Sequence, residues 1–178
     1  TEIQTPSGWI HFQRYLVQRR AQDEALGVRF VGIEAARPTP EVLEAIHTAE
    51  AILIAPSNPI VSVGTILAVP GIRDAIITSR APVAAVSPIV AGAPIKGPAT
   101  PLMRAAKLEV SALGIARGYQ GIIDALVIDE QDAALADSIR ALGIEVAVTD
   151  TIMRGSTEKR NLAATALALA KTAPRRRP

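Results

Sequence analysis

The feature that most constrains this chain is a repeated alternation. Short runs of Val, Ile, Leu and Ala are separated by longer segments in which apolar residues recur at helical spacing. Strands joined through helices cannot be hairpins. They run parallel by crossover, and a parallel sheet has to be covered on both faces. Residues 28–33, 51–55, 83–87, 125–129 and 145–148 read as strands. Residues 40–49, 61–78, 100–113, 133–142 and 157–171 read as helices, the second broken at Pro70-Gly71 and the third stopped by Gly114. The fold class is therefore α/β: an open, mostly parallel, Rossmann-like sheet in three α/β/α layers, forming part of a larger domain. The Pro/Arg segment 173–178 is expected to be a disordered basic tail.

Composition narrows what such a sheet can do. The net charge of +2 rests on Arg175, Arg176 and Arg177; without these three, 16 basic residues face 17 acidic ones, a balance of −1. Only five residues are aromatic, so there is neither the charge nor the stacking surface for polynucleotide binding. No apolar run reaches the roughly 18 residues of a membrane span. With no cysteine there is no disulfide, thiolate metal site or cysteine nucleophile, which suits a cytoplasmic setting. The chain opens at Thr1 rather than Met, as though sequence preceded it.

In an open parallel sheet, ligands bind beyond the carboxyl ends of the strands. After the 51–55 strand, the loop Pro56-Ser57-Asn58-Pro59 leads through Ser62 and Gly64 into a helix. Its short polar side chains and helix start fit either an anion site or an ordinary helix cap. After the 83–87 strand, a Gly/Pro-rich loop carries Ser87 and one charge, Lys96, which either reaches a phosphate or sits solvated. Two such loops on neighbouring strands suggest a nucleotide or diphosphate cleft. Asp129, Glu130 and Asp132 read as structural, with Asp132 the cap of the next helix; Asp150, Thr151 and Arg154 read as the turn into the last one. Trp9, Phe12 and Tyr15 read as a core anchor before a platform for a planar ligand. His11 and His47 show no metal-ligand spacing, and the G-x-G-x-x-G, G-x-x-x-x-G-K-[ST] and G-x-S-x-G signatures are absent.

The segments Phe12-Gln13-Arg14-Tyr15, Ala55-Pro56-Ser57-Asn58-Pro59-Ile60-Val61-Ser62-Val63-Gly64, Ser87-Pro88-Ile89-Val90, Lys96-Gly97-Pro98 and Asp150-Thr151-Ile152-Met153 together resemble the C-terminal half of the 2-phospho-L-lactate transferases of deazaflavin coenzyme F-420 biosynthesis. On that resemblance, residues 1–172 are the C-terminal part of a single transferase domain. The resemblance implies transfer of a phospholactyl or phosphoenolpyruvyl group from a guanosine-diphosphate-activated donor to the ribityl hydroxyl of an 8-hydroxy-deazaflavin precursor, with release of GMP. It implies that Ser57, Asn58, Pro59, Ser62 and Gly64 cradle the guanosine diphosphate while Ser87 and Lys96 close on the phosphates. Phe12, Gln13 and Tyr15 fall to the deazaflavin side. Magnesium is implied as cofactor, with its ligands in the absent N-terminal half and none in this chain, and a homodimer as the assembly. No catalytic residue is assigned. Thr65 stands where the family pattern has proline, and Ala91 where a second glycine is common. The alternative within the same superfamily is a non-catalytic, nucleotide-binding regulatory protein. A half-length chain is expected to expose a sheet edge and apolar surface, to bind nucleotide weakly and not to turn over.

Overall fold

The chain turns back on itself at once. Pro6, Ser7 and Gly8, the last at φ +107°, join β1 (Glu2–Thr5) to β2 (Gly8–His11), and Thr5 Oγ1 donates to the Gly8 carbonyl at 2.9 Å. This hairpin precedes the first strand anticipated from the sequence. A π-helical turn (Arg14–Gln18) follows, then β3 (Gly27–Arg29), which pairs antiparallel with β1 to give a small sheet in the order β2-β1-β3. The strand expected over 28–33 ends early, because Gly32 enters the left-handed region at φ +77° and starts a short 3₁₀ turn. The structure, a computed structural model, describes residues 1–175.

The remaining elements are α1 (Pro40–Thr48), β4 (Ile52–Ile54), a π-helical turn (Pro59–Val63), α2 (Gly64–Leu67), α3 (Ile72–Thr78), β5 (Val83–Val86), a two-stranded hairpin of β6 (Ile89–Val90) and β7 (Ala93–Pro94), α4 (Ala99–Ala105), α5 (Ala112–Gly118), β8 (Ala125–Asp129), a 3₁₀ turn (Glu130–Leu135), α6 (Ala136–Arg140), β9 (Glu145–Thr149) and α7 (Ser156–Thr172). β4, β5, β8 and β9 form an all-parallel sheet in that order. The strands alternate between two faces, both buried in the central β5 and β8. Val83, Ala85, Leu126, Ile128 and Val146 meet Leu67, Ile76, Met103, Ile115 and Ile139 from the helices on one side. Ala84, Val86, Ala125 and Val127 meet Leu162, Ala166 and Ala170 of α7 on the other. The result is the expected α/β/α layering, with a single helix among the described residues as one outer layer. No single helix among the described residues is long and apolar enough to cross a membrane.

One helix assignment and its stop signal need correction. The helix expected over 100–113 is two helices, broken where Lys107 takes φ +57° and Ser111 caps α5 by accepting from the Gly114 N–H at 3.0 Å. Gly114 is therefore inside the first turn of α5 and stops nothing. A Cβ there would lie 1.8 Å from the Glu109 carbonyl oxygen, so the glycine is required by a close backbone crossing.

The segment from 173, expected to be disordered, begins ordered. Ala173 is buried, and the Arg175 guanidinium donates to Asp124 Oδ2 at 2.8 Å and to the carbonyls of Ile76 and Ile77 at 2.8 and 2.7 Å, closing the end of α3. Residues 176–178 of the expected tail lie outside the described residues.

Candidate functional site

The parallel strands deliver their carboxyl ends to one rim, and the loops there carry the candidate residues. After β4 the chain passes through Ser57 and Asn58 into the first π-helical turn beyond it. Asn58 Oδ1 accepts from the N–H groups of Ile60 (2.9 Å) and Val61 (3.1 Å), and its carbonyl accepts from Ser62 and Val63. Pro59 has no N–H to offer. The donors of this helix start are thus all engaged, so the two readings of the loop resolve for Asn58 in favour of the cap. Gly64 is also structural, since a Cβ would meet the Pro59 carbonyl oxygen at 2.8 Å. Pro59 itself is buried. What this loop does present is hydroxyl chemistry: Ser57 and Ser62 are half-buried, and neither side chain makes a hydrogen bond among the described residues.

Ser87 differs. It is buried, and its Oγ donates to the Ile89 carbonyl at 2.9 Å while accepting from the Ile89 N–H at 3.2 Å, which closes the turn into the β6–β7 hairpin. Its hydroxyl shapes the loop. The hairpin turns through Ala91 (φ +49°) and Gly92 (φ +75°), two consecutive left-handed residues of the kind a tight two-residue turn demands. Beyond it Lys96 is exposed, with no ion pair among the described residues, three residues before α4 begins. The π-helical turn bearing Ser62 packs against α4, so the Ser57-Asn58 loop and the Lys96 loop share the rim.

The small antiparallel sheet walls this rim. Ile3, Ile10 and Tyr15 pack with Leu102 and Ala105 of α4 and with Ile60 and Val61 of the π-helical turn. Tyr15 is fully buried, its hydroxyl donates to the Asp23 carbonyl at 3.2 Å, and burial raises its pKa, helped by the Asp23 charge. It anchors the sheet. Phe12 is half-buried on the same cluster, and Gln13 is exposed. Of the three residues set on the deazaflavin side, only Phe12 and Gln13 keep surface to offer a planar ligand. Trp9, on the other face, stacks under the Arg29 guanidinium at 4.3 Å.

The carboxylates Asp129 and Asp132 at the end of β8, expected to be structural, are both buried and hydrogen-bonded. Asp129 accepts from Thr151 N (3.0 Å), Thr151 Oγ1 (2.8 Å), and both the backbone and side-chain nitrogens of Gln131 (3.1 Å each). Burial pushes its pKa up, but these donors outweigh it and hold the carboxyl below the usual aspartate range. The cap of the following turn is therefore Asp129 and not Asp132. Asp132, also buried, reaches sideways to accept from the Ala91 N–H at 3.1 Å; burial, aided by the Asp129 charge, raises its pKa. It ties the hairpin to the end of β8. Asp150 accepts from Ile152 N at 2.9 Å and pairs with Arg154, which makes the expected turn into α7. The signal for the Asp129–Thr151 link was the placement of both residues directly after adjacent strands. Among the described residues no group of three or more His, Asp or Glu is arranged to hold a metal ion, and the Asp129 carboxylate accepts from four donors.

A shallow groove of about 450 Å³ runs between α1 and α3, lined by Leu43, Ile46, His47, Ala75 and Ser79. It lies towards the amino ends of the strands, away from the rim just described.

The family model for "2-phospho-L-lactate transferase CofD" matches residues 1–167. The chain belongs to that family. It is 40% identical over 163 residues to a 2-phospho-L-lactate transferase of Methanosarcina barkeri, covering 92% of this chain and 52% of that protein. It is 44% identical over 162 residues to a phosphoenolpyruvate transferase of Streptomyces griseus, covering 90% and 51% respectively. The chain thus spans about half the length of these CofD-family relatives. Its fold is similar to that of a UPF0052-family protein of Bacillus halodurans, with a TM-score of 0.61 at 16% identity over 92% of this chain and 56% of that one.

Proposed function

We propose that this chain supplies the nucleotide-facing rim of a phospholactyl or phosphoenolpyruvyl transferase acting in coenzyme F-420 biosynthesis. The donor is a guanosine-diphosphate-activated lactate or enolpyruvate, and the acceptor is the terminal ribityl hydroxyl of an 8-hydroxy-deazaflavin precursor. The hydroxyl oxygen forms the new bond to phosphorus and gives up its proton, the bond to the guanylyl phosphate breaks, and GMP leaves. Such a reaction asks the protein for positioning and charge neutralisation more than for covalent chemistry. On this reading Lys96 faces the diphosphate, and Ser57 and Ser62 donate hydroxyl hydrogen bonds to it. Asn58, Pro59, Gly64 and Ser87 hold those groups in place, and Phe12 and Gln13 line the acceptor side. Magnesium, which would neutralise diphosphate charge when bound, is assigned to ligands in the remaining half of a family-length protein.

The observation that carries this reading is the family match across residues 1–167, joined to a rim on which the Ser57 and Ser62 hydroxyls and the Lys96 ammonium make no hydrogen bond or ion pair among the described residues. The test is calorimetric titration of the 178-residue chain with GDP. Weak, saturable binding is expected, reduced about tenfold in Lys96→Ala, the loss of one charge-assisted contact. GMP release from the activated donor is expected only in a family-length protein, and only with the deazaflavin precursor present. A family-length protein that binds guanine nucleotide yet releases no GMP with both substrates present would favour the regulatory alternative.

A further inference from the structure

The hairpin that leads to Lys96 is anchored in the core on one arm and exposed on the other. In β6, Ile89 and Val90 are buried, and the Ser87 hydroxyl fixes the entry to the strand. In β7, Ala93 is exposed and Pro94 half-buried. The ladder between them has two rungs, Val90 opposite Ala93 and Ile89 opposite Pro94, and proline has no N–H to give to the second. A two-stranded ribbon this short does not hold its own shape in water. Ile95, Lys96 and Gly97, which continue from the outgoing arm towards α4, are all exposed.

The tip adds a second difficulty. Ala91 takes φ +49°, a left-handed conformation that its methyl group disfavours and that glycine, common here in the family pattern, adopts freely. In a two-residue turn the N–H of the first turn residue lies outside the ladder and needs a partner elsewhere. That partner comes from 41 positions away: Asp132 Oδ2 accepts it at 3.1 Å. Asp132 is buried in the 3₁₀ turn that follows β8, and Asp129 fixes that turn by accepting from the Gln131 N–H at 3.1 Å. The acceptor thus belongs to the frame of the parallel sheet, and the donor to the hairpin.

We propose that Asp132 is a positioning residue of the rim: by holding the Ala91 N–H it keeps the left-handed tip closed, and so sets where the outgoing arm presents Lys96 to a nucleoside diphosphate. The Lys96 side chain has no ion pair among the described residues, so its place is set by the backbone that carries it. What Lys96 faces rests on the transferase reading above; the tie itself does not. Asp132 touches no reacting atom on this account, and its effect on binding runs through Lys96.

The test joins amide hydrogen exchange with calorimetric titration of GDP, both on the 178-residue chain. In the parent the Ala91 amide is expected to exchange about 100-fold more slowly than that of Gly92, although both residues are exposed. Two variants remove the acceptor, Asp132→Leu with nearly the same branching and Asp132→Ala with a smaller side chain, so that failure of one to fold leaves the other. In each, the Ala91 and Ala93 amides are expected to exchange roughly tenfold faster and GDP to bind about fivefold more weakly, while Asp132→Asn, which keeps an acceptor oxygen, is expected to retain both properties. In a Lys96→Ala background, loss of the acceptor is expected to weaken GDP binding no further. An Ala91 amide that exchanges as fast as Gly92, or hairpin exchange unchanged without the acceptor, would overturn the tie. A loosened hairpin with undiminished GDP affinity, or a loss that adds in full to that of Lys96→Ala, would overturn the positioning role. A parent chain that binds no GDP would remove the transferase reading and the role given to Lys96, with hairpin exchange still deciding the tie.

Discussion

Arg175 offers the sharpest quantitative test of the fold. Its side chain is 15% exposed and that of its partner Asp124 2%, so the ion pair is shielded from water. The guanidinium also serves the carbonyls of Ile76, Ile77 and Ser79, where α3 ends and has no further intrahelical donors. Replacing Arg175 by alanine removes this guanidinium from a buried carboxylate and uncaps a helix terminus in one step. Breaking a buried pair from one side costs about 3–5 kcal/mol. Asp124 keeps its bond to the Val83 N–H at 2.8 Å, which places the loss near the lower end, about 3 kcal/mol. At about 2–4 °C per kcal/mol for a chain of this size, the melting temperature should fall by roughly 6–12 °C. Urea unfolding followed by circular dichroism, with calorimetry for the melting temperature, measures both. Arg175→Lys should recover less than half, because one ammonium cannot span the carboxylate and three carbonyls. Adding Asp124→Asn to Arg175→Ala should return part of the loss by removing the buried charge. A loss below about 1 kcal/mol in Arg175→Ala would refute the reasoning, since that is the value of a solvated surface pair.

Gly114→Ala places its methyl 1.8 Å from a backbone oxygen that no side-chain movement can clear, and it should cost more than about 3 kcal/mol or prevent soluble folding. Gly64→Ala, at 2.8 Å, should cost roughly 1–3 kcal/mol, read as a smaller fall in melting temperature. The two buried aspartates should respond to pH with opposite signs. Asp129, with its folded pKa depressed, contributes stability that is present above the ordinary aspartate value of 3.8 and lost as pH falls through the folded value; Asp129→Asn should destabilise at pH 7 and lose its effect in acid. Asp132, with its folded pKa raised, favours folding only in its protonated form, so Asp132→Asn should be neutral or stabilising at pH 7 and should differ least from the parent below pH 3.8. Urea midpoints taken across pH 3–7 decide both.

The parallel sheet was legible because buried parallel strands need uninterrupted apolar residues: 125–129 coincides with β8, and the 51–55 and 83–87 runs exceed β4 and β5 only at their ends. The β1–β2 hairpin was not, because four-residue strands carry too little alternation; the turn Pro6-Ser7-Gly8 was its one clear mark. Gly114 was misread because glycine ends helices by conformation but enters them for space, and only the path of Glu109 separates the two. At the rim, polar residue type showed where to look but not how each group is used. Among the described residues Ser57 and Ser62 keep their hydroxyls unengaged, whereas Asn58 spends its amide oxygen and Ser87 its hydroxyl on the local backbone. Asp129 and Thr151, 22 positions apart, meet only because β8 and β9 are neighbours in register.

Helix α7 has a consequence for biosynthesis. It lies across all four parallel strands and is, among the described residues, the only helix on its face, so until residues 156–175 have emerged from the ribosome no other described helix covers Ala84, Val86, Ala125 and Val127. The sheet therefore cannot close during translation of its own strands. A nascent chain halted at β9 should be a client for chaperones that hold apolar strands apart.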